Sequence, residues 1–551
     1  MKKIALLFLL MGSSVFAQFS KTHYIPPLSA TDSQPAQSQY LYISSPSPTP
    51  INFTINALGN GLISGTVSRN TPFVYNIGAG NNSALMVNQF SVNTIQNNKG
   101  FVVEAEDQVY VAVRLTATTQ NFQGGGLVSK GLAGLGTQFR IGAFINTGIS
   151  AITQNHYTFI SILATENNTT VSFSDIKPGV VLINNAGAGN NPSNVILNRG
   201  QSYVIAVTGP VNANRDGLIG SLVTADKPIA VNCGSFAGTN GSNDNNIDLG
   251  FDQIVPVDRT GNKYIFIKGF GENVIERPLL VAHENNTEVF LNGNLGTPNF
   301  TLQAGQYLAL DGSAYSANNN LYVTTSKNVS AYQGVGGQSQ ANQEMYFVPP
   351  LSCQTPRIID NIPFLDQIGN LFFNENSGVN LVTETGASLE FIINGTNYLL
   401  NNLPAGIIVQ GPSTIIGTSD YVTYNINGLS GNVSVFSTKQ LYLSYYGSSG
   451  AATFGGFYSG FTFRPEISFE RLDLNAANCI PNINLGINSL SPFDTYQWYF
   501  NDVAIPGATN STYTPSQPGY YYLSATISDC GTTLISDKIP VSQCPTDLDV
   551  D

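Results

Sequence analysis

The chain has 551 residues and a formal net charge of −12, with 10% charged, 42% hydrophobic and 11% aromatic residues. Soluble domains usually carry roughly 25% charged residues, so uncharged Asn, Ser, Thr, Gln and Gly must cover much of this surface. The aromatic content excludes disorder, the scarcity of charge excludes a coiled coil, and the acidic balance leaves no basic stripe for nucleic acid or an anionic membrane.

The first element is an export signal. Lys2 and Lys3 precede an apolar run from Ile4 to Met11, and Val15-Phe16-Ala17 then stands before Gln18. A positive start, a short apolar stretch and a small-residue cleavage site read as a signal peptide over 1–17. The run is too short to span a bilayer, which takes about 20 residues, and no later stretch approaches that length. The expectation is a secreted protein, extracellular or on the outer cell surface, without membrane insertion.

From there the pattern has period two. Phe101-Val-Val-Glu-Ala-Glu106, Gln108-Val-Tyr-Val-Ala-Val-Arg114, Tyr264-Ile-Phe-Ile-Lys268 and Leu441-Tyr-Leu-Ser-Tyr445 are β-branched and aromatic runs bounded by turn formers. No long segment has the i, i+3, i+4, i+7 pattern of an amphipathic helix. A repeat is superimposed on the strands. Ile162-Leu-Ala-Thr-Glu-Asn-Asn-Thr-Thr-Val171 returns as Leu280-Val-Ala-His-Glu-Asn-Asn-Thr-Glu-Val289, and more weakly as Leu381-Val-Thr-Glu-Thr-Gly-Ala-Ser-Leu389. Each copy follows a Gly-led strand, at Gly136, Gly261 and Gly369. Each is followed by a strand pair around a basic turn, containing Lys227, Lys327 and Lys439. Asn tolerates the left-handed conformation that tight hairpins need, so the repeated element reads as strand, turn, strand. Units of this length suit a β-sandwich.

The expected fold is all-β, with tandem β-sandwich-like units followed by an Ig-like sandwich. The boundaries are a divergent N-terminal unit over 18–135, repeat units over 136–260, 261–360 and 361–467, an Ig-like module over 468–544 and an acidic tail over 545–551. A β-propeller-like arrangement is the alternative, but its blades of about 40–50 residues are shorter than these units. The Ig-like assignment rests on Trp498, the only Trp, and on Gly519-x-Tyr521. Leu523 stands where the core disulfide of such a domain would place a Cys.

The five cysteines form no CxxC pair, which gives zinc and thioredoxin-like chemistry no support. In an exported chain they predict disulfides. Cys233 with Cys353, both near unit closures, and Cys479 with Cys530 are the expected pairs, leaving Cys544 over.

The repeated elements resemble the N-terminal domain of IgGFc-binding proteins over residues 100–360 or so. The residues that carry the resemblance are Ile162-Leu-Ala-Thr-Glu-Asn-Asn-Thr169, Leu197-Asn-Arg-Gly-Gln-Ser-Tyr203, Asp226-Lys-Pro-Ile-Ala-Val231, Asp248 with Asp252-Gln253 and Pro256, and Gly261-Asn-Lys-Tyr264. Leu249 and Asp252 depart from the family pattern, which has His and Glu there. The C-terminal part is similar to Ig-like and PKD-like modules of large secreted proteins of gliding Gram-negative bacteria. Asp547-Leu-Asp-Val-Asp551 looks like the start of a calcium-binding repeat, with the chain expected to be cut short of a sorting domain. The resemblance implies binding or adhesion outside the cell, not an enzyme and not necessarily antibody binding.

Candidate chemistry is sparse. There is no Gly-x-Ser-x-Gly elbow, and His23, His156 and His283 fall in different units, so no catalytic residue is assigned. Glu104 and Glu106 share one strand face and would be the first residues to test in a glycan-hydrolase alternative. Glu166, Glu284 and Glu384 recur at one turn and read as structural. The best cofactor candidate is calcium, with Asp244, Asn246, Asp248 and Asp252 as ligands, because that stretch packs hard oxygen donors at alternating positions. The aromatic run from Tyr445 to Phe463 reads as core rather than as a sugar-stacking strip. The expected partner is an extracellular glycan or glycoprotein; a purely structural surface component is the third alternative.

Overall fold

The computed structural model describes residues 20–545 except 119, 147–152, 186–191, 242–245, 338–341, 459–464, 466, 473–478, 488–492, 529–530 and 537. No α-helix occurs among the described residues, and the chain divides into two compact units, Ala17–Thr462 and Phe463–Asp551.

The larger unit repeats one layout four times. In the first copy a 17-residue strand, Phe101–Ala117, runs through both layers of a sandwich. Its first half pairs with Ser20–Ile25 and Ile51–Ala57, and Gly61–Val67 lies outside the latter. Its second half pairs with Ala36–Ser44 and Gln123–Val128, and Phe73–Gly78 closes that layer. We call the long strand the spine and the strand after it the axial strand. The second and third copies repeat this with spines Leu222–Gly238 and Asn320–Gly336 and axial strands Asp248–Ile254 and Gln343–Phe347. In the fourth, Thr438, Lys439 and Gln440 break the spine into Val433–Ser437 and Leu441–Ser449, and the axial strand is Ala452–Phe457. The divergent segment before residue 136 is thus a full copy.

Burial along the spine explains the change of sequence pattern within it. The first half of Phe101–Ala117 alternates between buried and exposed residues, whereas Gln108 to Ala117 are all buried. A strand with one wet face alternates; one covered on both faces reads as a continuous apolar run. The second halves are doubly covered because the four axial strands pack side by side in a closed ring, the first touching the second and fourth, and the third touching the same two.

Glycine permits that approach. A Cβ on Gly125 would lie 2.6 Å from Leu249 Cβ, and one on Gly124 would lie 2.9 Å from the Thr453 carbonyl oxygen. The seam between the first and fourth copies is closed by Arg114, fully buried on the first spine. Its guanidinium donates to the carbonyls of Pro363 (3.0 Å), Phe364 (2.6 Å) and Gln367 (3.0 Å) and lies over the rings of Tyr42 and Tyr445.

The smaller unit is an Ig-like sandwich. Ile467–Arg471, Ile483–Ile487 and Thr512–Tyr513 form one sheet; the other is built on Thr495–Phe500 and Gly519–Ile527. Trp498 is fully buried between them and donates from Nε1 to the Asn510 carbonyl at 2.9 Å. The Tyr521 hydroxyl donates to the Gln517 carbonyl four residues back, at 2.8 Å, the corner that such sandwiches use to fix a crossing strand. Leu523 fills the core position without sulfur.

Both expected disulfide pairs are corrected. Cys479 bonds to Cys544, 4.9 Å away between Cα atoms, which ties the two ends of the Ig-like unit. Cys530 lies outside the described residues. Cys233 is a free, buried thiol, while Cys353 is disulfide-bonded elsewhere. The physical reason is burial: Cys233 sits in the doubly covered half of its spine, pairing with Asp252 of the axial strand. Burial pushes its thiol up to about 12.

Candidate functional site

The axial ring poses an accounting problem. Among the described residues each axial strand pairs with its own spine on one edge and with no strand on the other, so inner N–H groups need acceptors. Three buried carboxyl groups supply them. Asp248 accepts from the Gly124 N–H (3.0 Å) and Leu249 N–H (2.9 Å) on Oδ1 and from the Gln343 N–H (3.0 Å) on Oδ2. Glu344 Oε2 accepts from the N–H groups of Gly126 (3.1 Å) and Gly455 (3.2 Å). Asp252 accepts from the Gln253 N–H (2.8 Å), the Phe347 N–H (3.0 Å) and the Lys130 ammonium, which lies 2.9 Å from Oδ2. Gln253 completes the lock: its Oε1 accepts from Lys130 N–H (2.6 Å) and Ser129 Oγ (3.0 Å), and its Nε2 donates to the Tyr24 carbonyl (2.7 Å). Burial pushes the Asp248 and Glu344 carboxyls well above their usual range, against the pull of these N–H donors.

This gives Asp248 and Asp252 a role other than the expected one. Their oxygens face N–H and ammonium donors, whose positive ends would repel a calcium ion. The Asn246 carbonyl accepts from Gln343 Nε2 (3.4 Å), and Asp244 lies outside the described residues. Among the described residues no three His, Cys, Asp or Glu side chains gather around a point that could hold a metal. Asp547, Asp549 and Asp551 also lie outside them.

The repeated turn is structural down to its atoms. Asn168 and Asn286 take φ of 54° and 55°. Thr169 and Thr287 donate to the carbonyls of Glu166 (2.8 Å) and Glu284 (2.7 Å), and the side chains of Asn167 and Asn285 accept from the N–H groups of Arg199 (3.1 Å) and Ala304 (3.0 Å). The basic turn closes the node: Lys227, Lys327 and Lys439 donate to the carbonyls of Asn167, Asn285 and Thr385. Glu166, Glu284 and Glu384 contribute backbone carbonyls to the turn, and the Glu284 carboxylate also lies 3.6 Å from Lys327 Nζ.

The remaining sequence candidates separate. Glu104 and Glu106 stand on the exposed half of the first spine. Glu106 accepts from the Asn52 side chain (2.9 Å) and N–H (3.0 Å), which hold it below the usual carboxylate range; a general acid needs the opposite shift. His23 is buried with Nε2 between the carbonyls of Ser20 (3.1 Å) and Val109 (3.0 Å) and Nδ1 on Ser129 Oγ (3.0 Å). Burial lowers it to about 4. Tyr445, Tyr446, Phe454, Phe457 and Tyr458 are buried, as the core reading expects.

Sequence reading missed a groove between the third and fourth copies, of about 300 Å³. Lys268, Gly269 and Phe270 form one wall, Asn318 and Asn319 a second, and Gln410, Ser413 and Thr423 to Asn425 the third. The Phe270 side chain is 37% exposed beside the buried Tyr446, with ring centroids 5.5 Å apart. Its signal in the sequence was faint, because the walls lie some 140 residues apart along the chain.

Comparison with known proteins places these features. No curated protein matches the chain. Among solved structures, immunoglobulin domains 1–5 of Sidekick-1 align over 95% of this chain and 99% of that one, at 10% identity and a TM-score of 0.10. Dimeric latent PorU from Porphyromonas gingivalis aligns over 54% of this chain and 35% of that one, at 8% identity and a TM-score of 0.11. Salmonella alpha-2-macroglobulin reacted with methylamine aligns over 98% and 47%, at 7% and 0.12. Such scores carry no argument about architecture. The family model described as IgGFc binding protein matches residues 126–447, from the first axial strand through the spine of the fourth copy. That is more than half of the chain, and it includes the axial acids and both strong copies of the turn: the chain belongs to the IgGFc-binding protein family.

Proposed function

We propose that the protein is a non-enzymatic adhesion protein, secreted and working at the cell exterior, that holds an extracellular glycan or glycoprotein through loops on its tandem β units. The observation that carries this reading is where the repeated residues go. Asn, Thr, Lys and Gln of the repeat bond to the scaffold's own backbone, and the axial acids bond to its inner N–H groups. Contacts on a rigid β scaffold are generally made by loops. Membership of a family named for binding points the same way. The Ig-like unit, read as one of the Ig-like or PKD-like modules of secreted proteins from gliding bacteria, adds a further binding module.

The test is a glycan and glycoprotein array probed with the purified protein, with reducing ends measured in the supernatant. Specific retention without product is expected. Release of reducing ends that Glu104→Gln abolishes would replace the reading with a hydrolase. Ordered self-assembly with no ligand retained would replace it with a structural surface component.

A further inference from the structure

The groove between the third and fourth copies stands where the fourfold layout is broken. The fourth copy adds a strand, Ile408–Ile415, on the outer edge of the layer that holds its axial strand, beside Thr418–Asn427. No strand of the other copies takes that place from within its own copy among the described residues. The ladder of the added strand slips between Gln410 and Ser413, the two residues it contributes to the groove wall. Bulges of this kind re-aim side chains and gather beside functional sites.

The opposite wall is held in place from behind. Glu276 is fully buried, and its carboxylate accepts from the N–H groups of Gly269, Gly271 and Gly336, each at 2.8 Å. The Phe270 N–H donates to the Gly336 carbonyl at 3.0 Å. The loop is therefore fixed on both sides of Phe270, whose ring remains partly exposed. An exposed aromatic on a pinned loop, facing amides and hydroxyls, is costly to keep in water and suited to a ligand with one apolar face and many hydroxyl groups.

The charge in the groove narrows the class. Lys268 is the only ionised side chain among the described lining residues, and its ammonium donates to Asn273 Oδ1 at 2.7 Å. Among the described residues no carboxylate lines the groove to repel an anion. The geometry points to this groove as a subsite for an acidic saccharide, a uronate or sialate residue within a glycan. The pyranose stacks its C–H face on Phe270, Gln410 and Asn319 bond its hydroxyls, and Lys268 meets the carboxylate. The volume lies at the small end of ligand sites, which suits about one or two sugar rings. This inference rests on the adhesion reading and names the glycan class and the place where it binds.

The test is calorimetric titration of the full protein with trigalacturonate and with neutral maltotriose as control. Wild type is expected to bind trigalacturonate. Phe270→Ala should weaken that binding by at least about 10-fold, and Gln410→Ala should weaken it with unchanged thermal stability. Lys268→Gln should weaken it by about 10-fold or more, the usual worth of a charge-assisted hydrogen bond, and should flatten its dependence on salt. Glycan retention on the array that survives Phe270→Ala, Gln410→Ala and Lys268→Gln unchanged would overturn the groove and leave the adhesion reading standing. Binding of maltotriose as tight as trigalacturonate, indifferent to Lys268→Gln, would overturn the acidic class. Absence of any glycan binding by wild type would overturn the groove together with the glycan arm of the adhesion reading.

Discussion

Lys130 and Asp252 form an ion pair that is buried on both sides. Burial pushes the lysine down and the aspartate up, and each charge pulls its partner back. Removing one partner strands the other, so Lys130→Met should cost about 3–5 kcal/mol in denaturant unfolding. The double variant Lys130→Met/Asp252→Leu should not recover this loss, because Asp252 also accepts from the Phe347 and Gln253 N–H groups; recovery would show the carboxylate to be dispensable. Two other buried groups act oppositely on pH. Glu276 is raised by burial from 4.5 to about 7, so its contribution is present at low pH and lost as pH rises through 7. His23 is lowered by burial from 6.5 to about 4, so its contribution is present above 6.5 and lost as pH falls toward 4. Each is worth about 3 kcal/mol at 1.36 kcal/mol per unit. Their slopes oppose one another between pH 4.5 and 6.5. Urea titrations of Glu276→Gln across that window should therefore differ from wild type by a rise in relative stability with pH, and those of His23→Gln by a fall. At this scale the sequence marked Asp248 and Asp252 as a cluster of hard oxygens, but could not show that their partners were N–H groups on strands more than 90 residues away.

Among the elements, the hairpin turns were the most legible, because a turn's requirements lie within four residues. Glu-Asn-Asn-Thr carries the residue that tolerates positive φ and the hydroxyl that bonds back. Asn286→Gly should leave stability within about 0.5 kcal/mol, while Asn286→Val should cost about 1–2 kcal/mol, since a β-branched side chain meets the full left-handed penalty. Thermal unfolding of the two variants separates the outcomes. The axial strand is the opposite case. Gln123-Gly-Gly-Gly-Leu-Val128 carries a glycine triplet whose cause is the neighbouring strands, distant in sequence, not the local turn. Gly125→Val should cost at least about 1–3 kcal/mol by overpacking against Leu249 and Phe251. The crossing of the spine between layers was also hidden. Both halves read as strand, and only the loss of alternation near Gln108 signals the passage into doubly covered surroundings.

For the whole molecule, strand content and tandem units were legible from periodicity and repeat, but the closure of four units into a ring was not. Closure depends on Arg114 meeting carbonyls about 250 residues away and on acids shared between copies. Because each axial carboxylate serves other copies as well as its own, the unit Ala17–Thr462 should melt in a single calorimetric transition rather than copy by copy as an open solenoid does. The Ig-like unit has its own core and its own Cys479–Cys544 bond. Replacing Cys479 and Cys544 by Ser should lower the midpoint of the Ig-like transition and leave the midpoint of the larger unit in place.

The Arg114 seam also sets a schedule. The first copy places Gly124 and Gly126 so that their N–H groups point to acids at Asp248 and Glu344, and it places Arg114 for carbonyls at 363–367. None of these acceptors exists while the nascent chain ends before them. The earliest segment made must therefore wait, with a guanidinium and a row of glycines uncovered, until the chain has passed Gln367, about 250 residues later, and Gly124 meets Thr453 only when Ala452–Phe457 has been made. Contacts this distant in sequence slow folding. Time itself is thus part of the design, and the first copy is the one most exposed to proteases or holding chaperones during synthesis.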